Sequence, residues 1–342
     1  MAEQLAVELV SLRAGVRVSD RWTIIEKLGP AEHGAVYLCH KDYGMVAAMK
    51  TERANTEHQQ LVMEANVMRS LDKLSEGDNK HFCRCLELGR DEQKDVQTGT
   101  MKPFNFIRVA DGLVREAGGR FSPGTAIGMA LQLLDAIKAL HSVGYLHRDI
   151  KPANTTIGRP ESNEQRLLYL IDFGMARKYV REDGSHRRPR TNSNFRGAPR
   201  YASISAHIGR DYSRKDDIES WFYVLVELYT GMLPWSGTGD MREIGDMKRL
   251  RSNNQPANIQ RQAVQHLLSG CPADCGWGGI LRHIDELTFD DRRNYDMISS
   301  TAQHPLQAEH SGASVRLGGG RTLSRRRRRS IRWPVIYFVP LR

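Results

Sequence analysis

Tyr145-Leu-His-Arg-Asp-Ile-Lys-Pro-Ala-Asn154 is the stretch on which the reading of this chain turns. It sets an acid (Asp149), an ammonium (Lys151) and an amide (Asn154) close together, and a second acid follows eighteen residues later in Leu170-Ile-Asp-Phe-Gly174. His147-Arg148-Asp149 alone reads equally well as a surface charge cluster. With Lys151, Asn154 and Asp172-Phe-Gly174 at these offsets, the bland reading loses. The surrounding 342 residues carry 50 Lys and Arg against 40 Asp and Glu, a net charge of +10. That excess is uneven: Pro305 to Arg342 holds nine Arg and one acid, Glu309, so the rest of the chain is near neutral.

The length is ample to bury a core without disulfides. Five Cys (Cys39, Cys83, Cys85, Cys271, Cys275) make an odd count. They lack the two-residue knuckle spacing of common zinc sites, so structural thiols are the expectation. Met1 to Glu8 lacks the basic and apolar regions of a signal peptide, and Trp333 to Leu341 is far shorter than a membrane span. The sequence therefore predicts an intracellular protein, in cytoplasm and/or nucleus, with no membrane contact.

Strand-like runs come first: Trp22 to Leu28, Gly34 to Cys39 and Val46 to Lys50 follow one another as an antiparallel meander would. Leu61, Ala65, Met68 and Leu71 then share one face of a helix. Phe82 to Leu88 and Phe104 to Ile107 read as two further strands. From Ser122 the pattern turns helical, with Ser122 as N-cap, Pro123 in the first turn, and Ile127, Leu131, Leu134, Ile137 and Leu140 as its stripe. A second helix spans Asp217 to Tyr229, with Trp221, Phe222, Leu225 and Leu228 inward and Gly231 at its end. The fold class is α+β, a small antiparallel β lobe with one helix followed by a larger, mainly α-helical lobe. Gly-rich and Arg-rich text near the C-terminus has little to bury and reads as disordered.

The motif pair resembles the catalytic loop and metal-binding turn of eukaryotic protein kinases. That resemblance implies the bilobal kinase fold, with residues 1–21 as an N-terminal extension, 22–303 as the kinase domain and 304–342 as a basic, disordered tail. Within the domain, 22–107 is the small lobe and 108–303 the hinge and large lobe. It implies ATP and Mg2+ as cofactors and a role for each residue. Asp149 orients the substrate hydroxyl, Lys151 neutralises the transferring phosphoryl group, and Asn154 and Asp172 hold the metal. Lys50 anchors the nucleotide phosphates, paired with Glu64 or its rival Glu57. Leu28, Gly29, Gly34, Val36 and Ala48 complete the ATP site. Asp217 braces the catalytic loop.

Phe195-Arg-Gly-Ala-Pro-Arg-Tyr-Ala-Ser-Ile-Ser-Ala-His207, Arg214 to Ser220 and Leu233-Pro-Trp235 resemble the casein kinase one group, particularly its tau-tubulin kinase-like branch. This implies serine/threonine specificity on protein substrates at acidic or already phosphorylated sites. The Arg-rich stretch His186 to Arg190, with Arg196 and Arg200, supplies forks suited to carboxylate and phosphate; Arg190 and Arg196 are the candidate substrate-binding residues.

Two features depart from the family pattern. Pro30 and Ala31 interrupt the glycine-rich loop, removing an amide donor and adding a Cβ. Beyond Ile107 the stretch to Ser122 is several residues short of a kinase hinge. They motivate an alternative, a pseudokinase acting as a binding or scaffold module. Nucleic-acid binding through Arg325 to Arg329 is a third reading, and a monomer is the expected state.

Overall fold

In a computed structural model, the described residues are 11–31, 34–42, 44–54, 59–94, 100–110, 121–159, 162–190, 193–252, 254–291 and 293–310. Alternating apolar residues at the start of the chain build a six-stranded antiparallel sheet. Its strands are β1 (Arg17–Val18), β2 (Trp22–Ala31), β3 (Gly34–Lys41), β4 (Val46–Arg53), β5 (Cys85–Lys94) and β6 (Met101–Ala110), in the order β1-β2-β3-β4-β6-β5. One face buries Trp22, Ile24, Tyr37, Met49, Phe104 and Phe106 in a single cluster. Helix α1 (Gln60–Leu71) packs on β4, β5 and β6 and buries the expected Leu61, Ala65, Met68 and Leu71. A one-turn helix, α2 (Glu76–Asn79), follows it.

The chain divides into two compact units, Met1–Val114 with Ile157–Gly174 and Arg115–Thr156 with Met175–Arg342. In the first unit three expectations need correction. Strand β6 does not end at Ile107 but continues through Arg108 to Ala110. Arg108 is buried there because its guanidinium lies 3.9 Å above the Trp22 ring and pairs with Glu87. Burial pushes its pKa down to about 10. Strand β5 starts at Cys85 and runs to Lys94, since an edge strand hydrogen-bonded to β6 needs no apolar run. Nor are residues 11–21 a mere extension: Leu12 and Val18 join the buried cluster, and the Leu12 amide donates to the Tyr37 hydroxyl at 3.0 Å.

In the second unit, Ser122 caps α3 (Pro123–Ser142) by accepting from the Thr125 amide. The expected stripe is buried except at Leu131, which is half-buried while Leu133 is fully covered. Helix α5 (Arg214–Thr230) begins with a Ser213/Asp216 capping box and ends at Gly231, whose φ of 84° only glycine adopts freely. It is buried on all sides from Ile218 to Val226, although Leu228 is only half-covered. A helix apolar all round belongs at a core, and the Trp221 indole fastens it to α3 by donating to the Ala130 carbonyl at 2.6 Å.

Among the described residues, four short strands come between these two helices in sequence: β7 (Tyr145–Leu146), β8 (Thr155–Ile157), β9 (Leu168–Leu170) and β10 (Arg177–Lys178). Of these, β7 pairs antiparallel with β10. The remaining helices are α4 (Ile204–His207), α6 (Met241–Arg249), α7 (Ala257–Leu267), α8 (Trp277–Glu286) and α9 (Tyr295–His310). The expected tail boundary at 304 is also corrected. Helix α9 runs through Pro305 to His310, with Ala302 and Pro305 buried. Residues 311–342, with Arg325 to Arg329, lie outside the described residues, as do Glu57 and the 111–120 stretch read as a short hinge.

Gly34 is fixed by close packing. A Cβ there would stand 1.8 Å from the Thr51 carbonyl oxygen on the neighbouring strand. Gly34→Ala is therefore expected to destabilise the chain by roughly 1–3 kcal/mol, read as a lower urea midpoint. An unchanged midpoint would remove close packing as the reason for this glycine.

Candidate active site

In the first unit, sheet register assembles one row: Gly29 pairs with Val36, Val36 with Lys50 and Lys50 with Ile107. Directly opposed residues share a face, so Val36 and Lys50 lie on one side of the sheet, with Ala48 two residues before Lys50. Leu28 sits at a register shift beside Gly29. The stretch read as a glycine loop continues the hairpin, since Pro30 pairs with Ala35 and Ala31 with Gly34.

The Lys50 ammonium donates to Glu64 Oε2 at 3.0 Å and to Asp172 Oδ1 at 2.7 Å. Burial opposes charge on Lys50, but the Glu64 and Asp172 carboxylates outweigh it and hold the ammonium above the usual lysine range. Of the two acids considered for Lys50, Glu64 makes this contact; Glu57 is not among the described residues. Asp172 is unusual in backbone, with φ of 65°, and its side chain is 43% exposed. The next residue, Phe173, is buried against Phe82. Gly174 follows where a Cβ would approach Gln60 Oε1 to 2.9 Å.

The second unit holds the other half of the motif. Asp217, in the first turn of α5, accepts from the His147 and Arg148 amides at 2.8 Å each and lies 2.9 Å from His141 Nε2. Burial opposes its charge, but His141 and His147 hold its carboxyl below the usual range. These bonds clamp a loop whose Arg148 adopts φ of 69°, a left-handed geometry costly for a residue with a Cβ.

The clamp aims Asp149, whose carboxylate accepts from three donors. Its Oδ2 accepts from Lys151 Nζ at 2.6 Å and Asn154 Nδ2 at 2.9 Å, and its Oδ1 from the Ala198 amide at 3.0 Å. Gly197 has φ of 89°, and a Cβ there would press on the Arg148 carbonyl at 2.7 Å. Asn154 spends its NH2 group on Asp149, leaving its carbonyl oxygen as a hard ligand.

The candidate substrate residues are less simply placed. The Arg190 guanidinium is half exposed and donates to Asp211 Oδ1 at 3.1 Å, while its amide reaches Oδ2 at 2.9 Å. Arg177 grips the same carboxylate at 2.6 and 2.7 Å. Arg196 is half-buried and meets the Tyr212 hydroxyl through its own backbone. Sequence reasoning missed Asp211 and the Ala198 amide. A single acid facing an Arg-rich stretch was a usable signal for the first; a backbone donor leaves none.

The domain model described as the protein kinase domain matches residues 22–275. A Dictyostelium discoideum protein designated a probable serine/threonine-protein kinase is 31% identical over 292 residues, 85% of this chain and 54% of its own length. A Caenorhabditis elegans protein with a serine/threonine-protein kinase designation is 32% identical over 245 residues, covering 70% of this chain and 68% of that relative. The chain thus spans about half the length of the first relative. It belongs to the protein kinase domain family, with an antiparallel β-sheet lobe and a helical lobe.

Asp211 gives a test by acid. Burial opposes its charge, but the Arg190 amide and guanidinium and Arg177 outweigh this and hold its pKa at about 2. A depressed carboxyl stabilises the fold above its unfolded value of about 4, and that support is lost as pH falls through about 2. The difference in urea unfolding free energy between wild type and Asp211→Asn should stay flat from neutral pH down to about 5, then narrow below about 4. A gap that does not change with pH would show that the Asp211 charge contributes nothing.

Proposed function

We propose that this chain is a protein serine/threonine kinase that transfers the γ-phosphate of Mg-ATP to protein hydroxyls, at acidic or already phosphorylated sites. The observation that carries the reading is the Asp149 carboxylate, held by Lys151, Asn154 and the Ala198 amide. A base fixed on three donors is ready to orient a hydroxyl and take its proton.

Lys50, kept charged by Glu64 and Asp172, anchors the α and β phosphates. Leu28, Gly29, Gly34, Val36 and Ala48 border the nucleotide. The hydroxyl oxygen attacks the γ-phosphorus, its proton passes to Asp149, and the β–γ bridging oxygen departs with ADP. Lys151 offsets charge on the group in flight. Mg2+ prefers hard oxygen donors; the Asp172 carboxylate offers one in its unit and the Asn154 carbonyl oxygen another in its own, so each of these residues would hold the ion. When bound, Mg2+ would neutralise phosphate charge.

Arg196 and the exposed half of Arg190 support the acidic or primed preference, and the motifs around Ser203-Ile-Ser205 support the casein kinase one group and its tau-tubulin kinase-like branch. Protein substrates, a monomeric state and residence in cytoplasm and/or nucleus belong to the same proposal. Among the described residues no helix is long and apolar enough to cross a membrane. A second reading, a binding module without transfer, draws on Pro30, which adds no amide to the hairpin beside Lys50.

Phosphate transfer from Mg-ATP to an acidic protein separates the two. Wild type should transfer, Asp149→Asn should lose roughly 100- to 10,000-fold, and Asp172→Asn should lose turnover while remaining folded. Folded wild type without transfer would favour the binding module.

A further inference from the structure

Lys248 in α6 is fully buried, yet its side chain is not aimed at an acid. Among the described residues no carboxylate lies within ion-pair distance of its ammonium. Nζ donates instead to the Pro199 carbonyl at 2.8 Å and the Ala202 carbonyl at 2.6 Å. The rings of Tyr223 and Trp235 flank it at 4.6 and 4.9 Å. An amine in such a place is costly unless every donor is used, and burial pushes the Lys248 pKa well down.

Of the two carbonyls between these, that of Arg200 is also held. Trp235 Nε1 donates to the Arg200 oxygen at 2.8 Å. His207 Nε2 lies 3.2 Å from the Pro199 oxygen. Three carbonyls of one short segment are thus gripped by side chains from α4, α6 and the turn after α5. On its other side the segment touches the catalytic base, because Ala198 donates its amide to Asp149 and accepts at its carbonyl from the Tyr201 and Ala202 amides.

We propose that Lys248, assisted by Trp235, is a positioning residue that fixes the Ala198–Ala202 backbone as the platform on which the acceptor polypeptide is seated beside Asp149. The proposal rests on the kinase reading for its acceptor. A purely structural lysine would lower the fraction of active molecules and so reduce kcat alone. A positioning lysine raises KM for the acceptor.

The test compares wild type, Lys248→Met and Trp235→Phe as full chains, using the acidic protein substrate and Mg-ATP. Lys248→Met should raise KM for the acceptor roughly tenfold, with KM for ATP within about twofold of wild type. Trp235→Phe, which loses one bond to the same segment, should raise it about threefold. Amide exchange supplies a readout free of activity: Tyr201 and Ala202 should exchange roughly tenfold faster in Lys248→Met, while Val224 to Val226 of α5 stay protected. Unchanged acceptor KM and unchanged exchange in the folded variant overturn the proposal. If Lys248→Met does not fold, Trp235→Phe decides by the same two measures. If wild type transfers no phosphate, the kinase reading fails, and the exchange rates alone decide whether Lys248 holds this segment.

Discussion

A single buried carboxylate, that of Asp217, governs the loop that carries Asp149. It meets two consecutive amides and one imidazole, and those contacts hold Arg148 in a backbone region that side chains avoid. Without this anchor the turn would relax to an ordinary geometry and Asp149 would swing with it. The carboxylate is presented by α5, which is fixed by its own capping box and by burial on all sides from Ile218 to Val226. A packed helix is thus linked, through one acid, to the backbone that carries Asp149.

Charge is handled differently in the two halves of the motif. Lys50 sits between two acids, so its positive charge is secured by more negative charge than it carries. Asp149 sits among one ammonium and two neutral donors, so its negative charge is steadied without being fully cancelled. For the function proposed above, the first arrangement keeps a cation in place for an anionic ligand, and the second leaves a base able to accept a proton.

Much of this was legible from the residues. The offsets among Asp149, Lys151, Asn154 and Asp172 carry chemistry in their side chains, and Lys50 and Glu64 fell on a strand and a striped helix that periodicity located. Ser122 and Gly231 announced helix ends through their own conformational preferences. What stayed hidden depended on neighbours. Strand β5 continues into Arg90 and Lys94 because β6 pairs with it, which no apolar run records. Arg108 is buried because Trp22 and Glu87 receive it, and a lone arginine in sequence reads as exposed. Arg190 pairs with an acid twenty-one residues away that only the folded chain brings near.

The covering of Trp22, Tyr37 and Phe106 by residues that precede the family match has a bearing on how far the folded domain extends. Leu12 and Val18 are as much part of that cluster as the strands themselves, and Ser19 ties down β5 through a 2.6 Å bond from its amide to Asp91. A chain trimmed to start at Trp22 would keep every residue assigned a chemical role. It would also bare a patch of aromatic surface that water wets poorly and that other copies of the chain would meet. The boundary drawn by similarity and the boundary drawn by solubility therefore differ by about one strand and its lead-in.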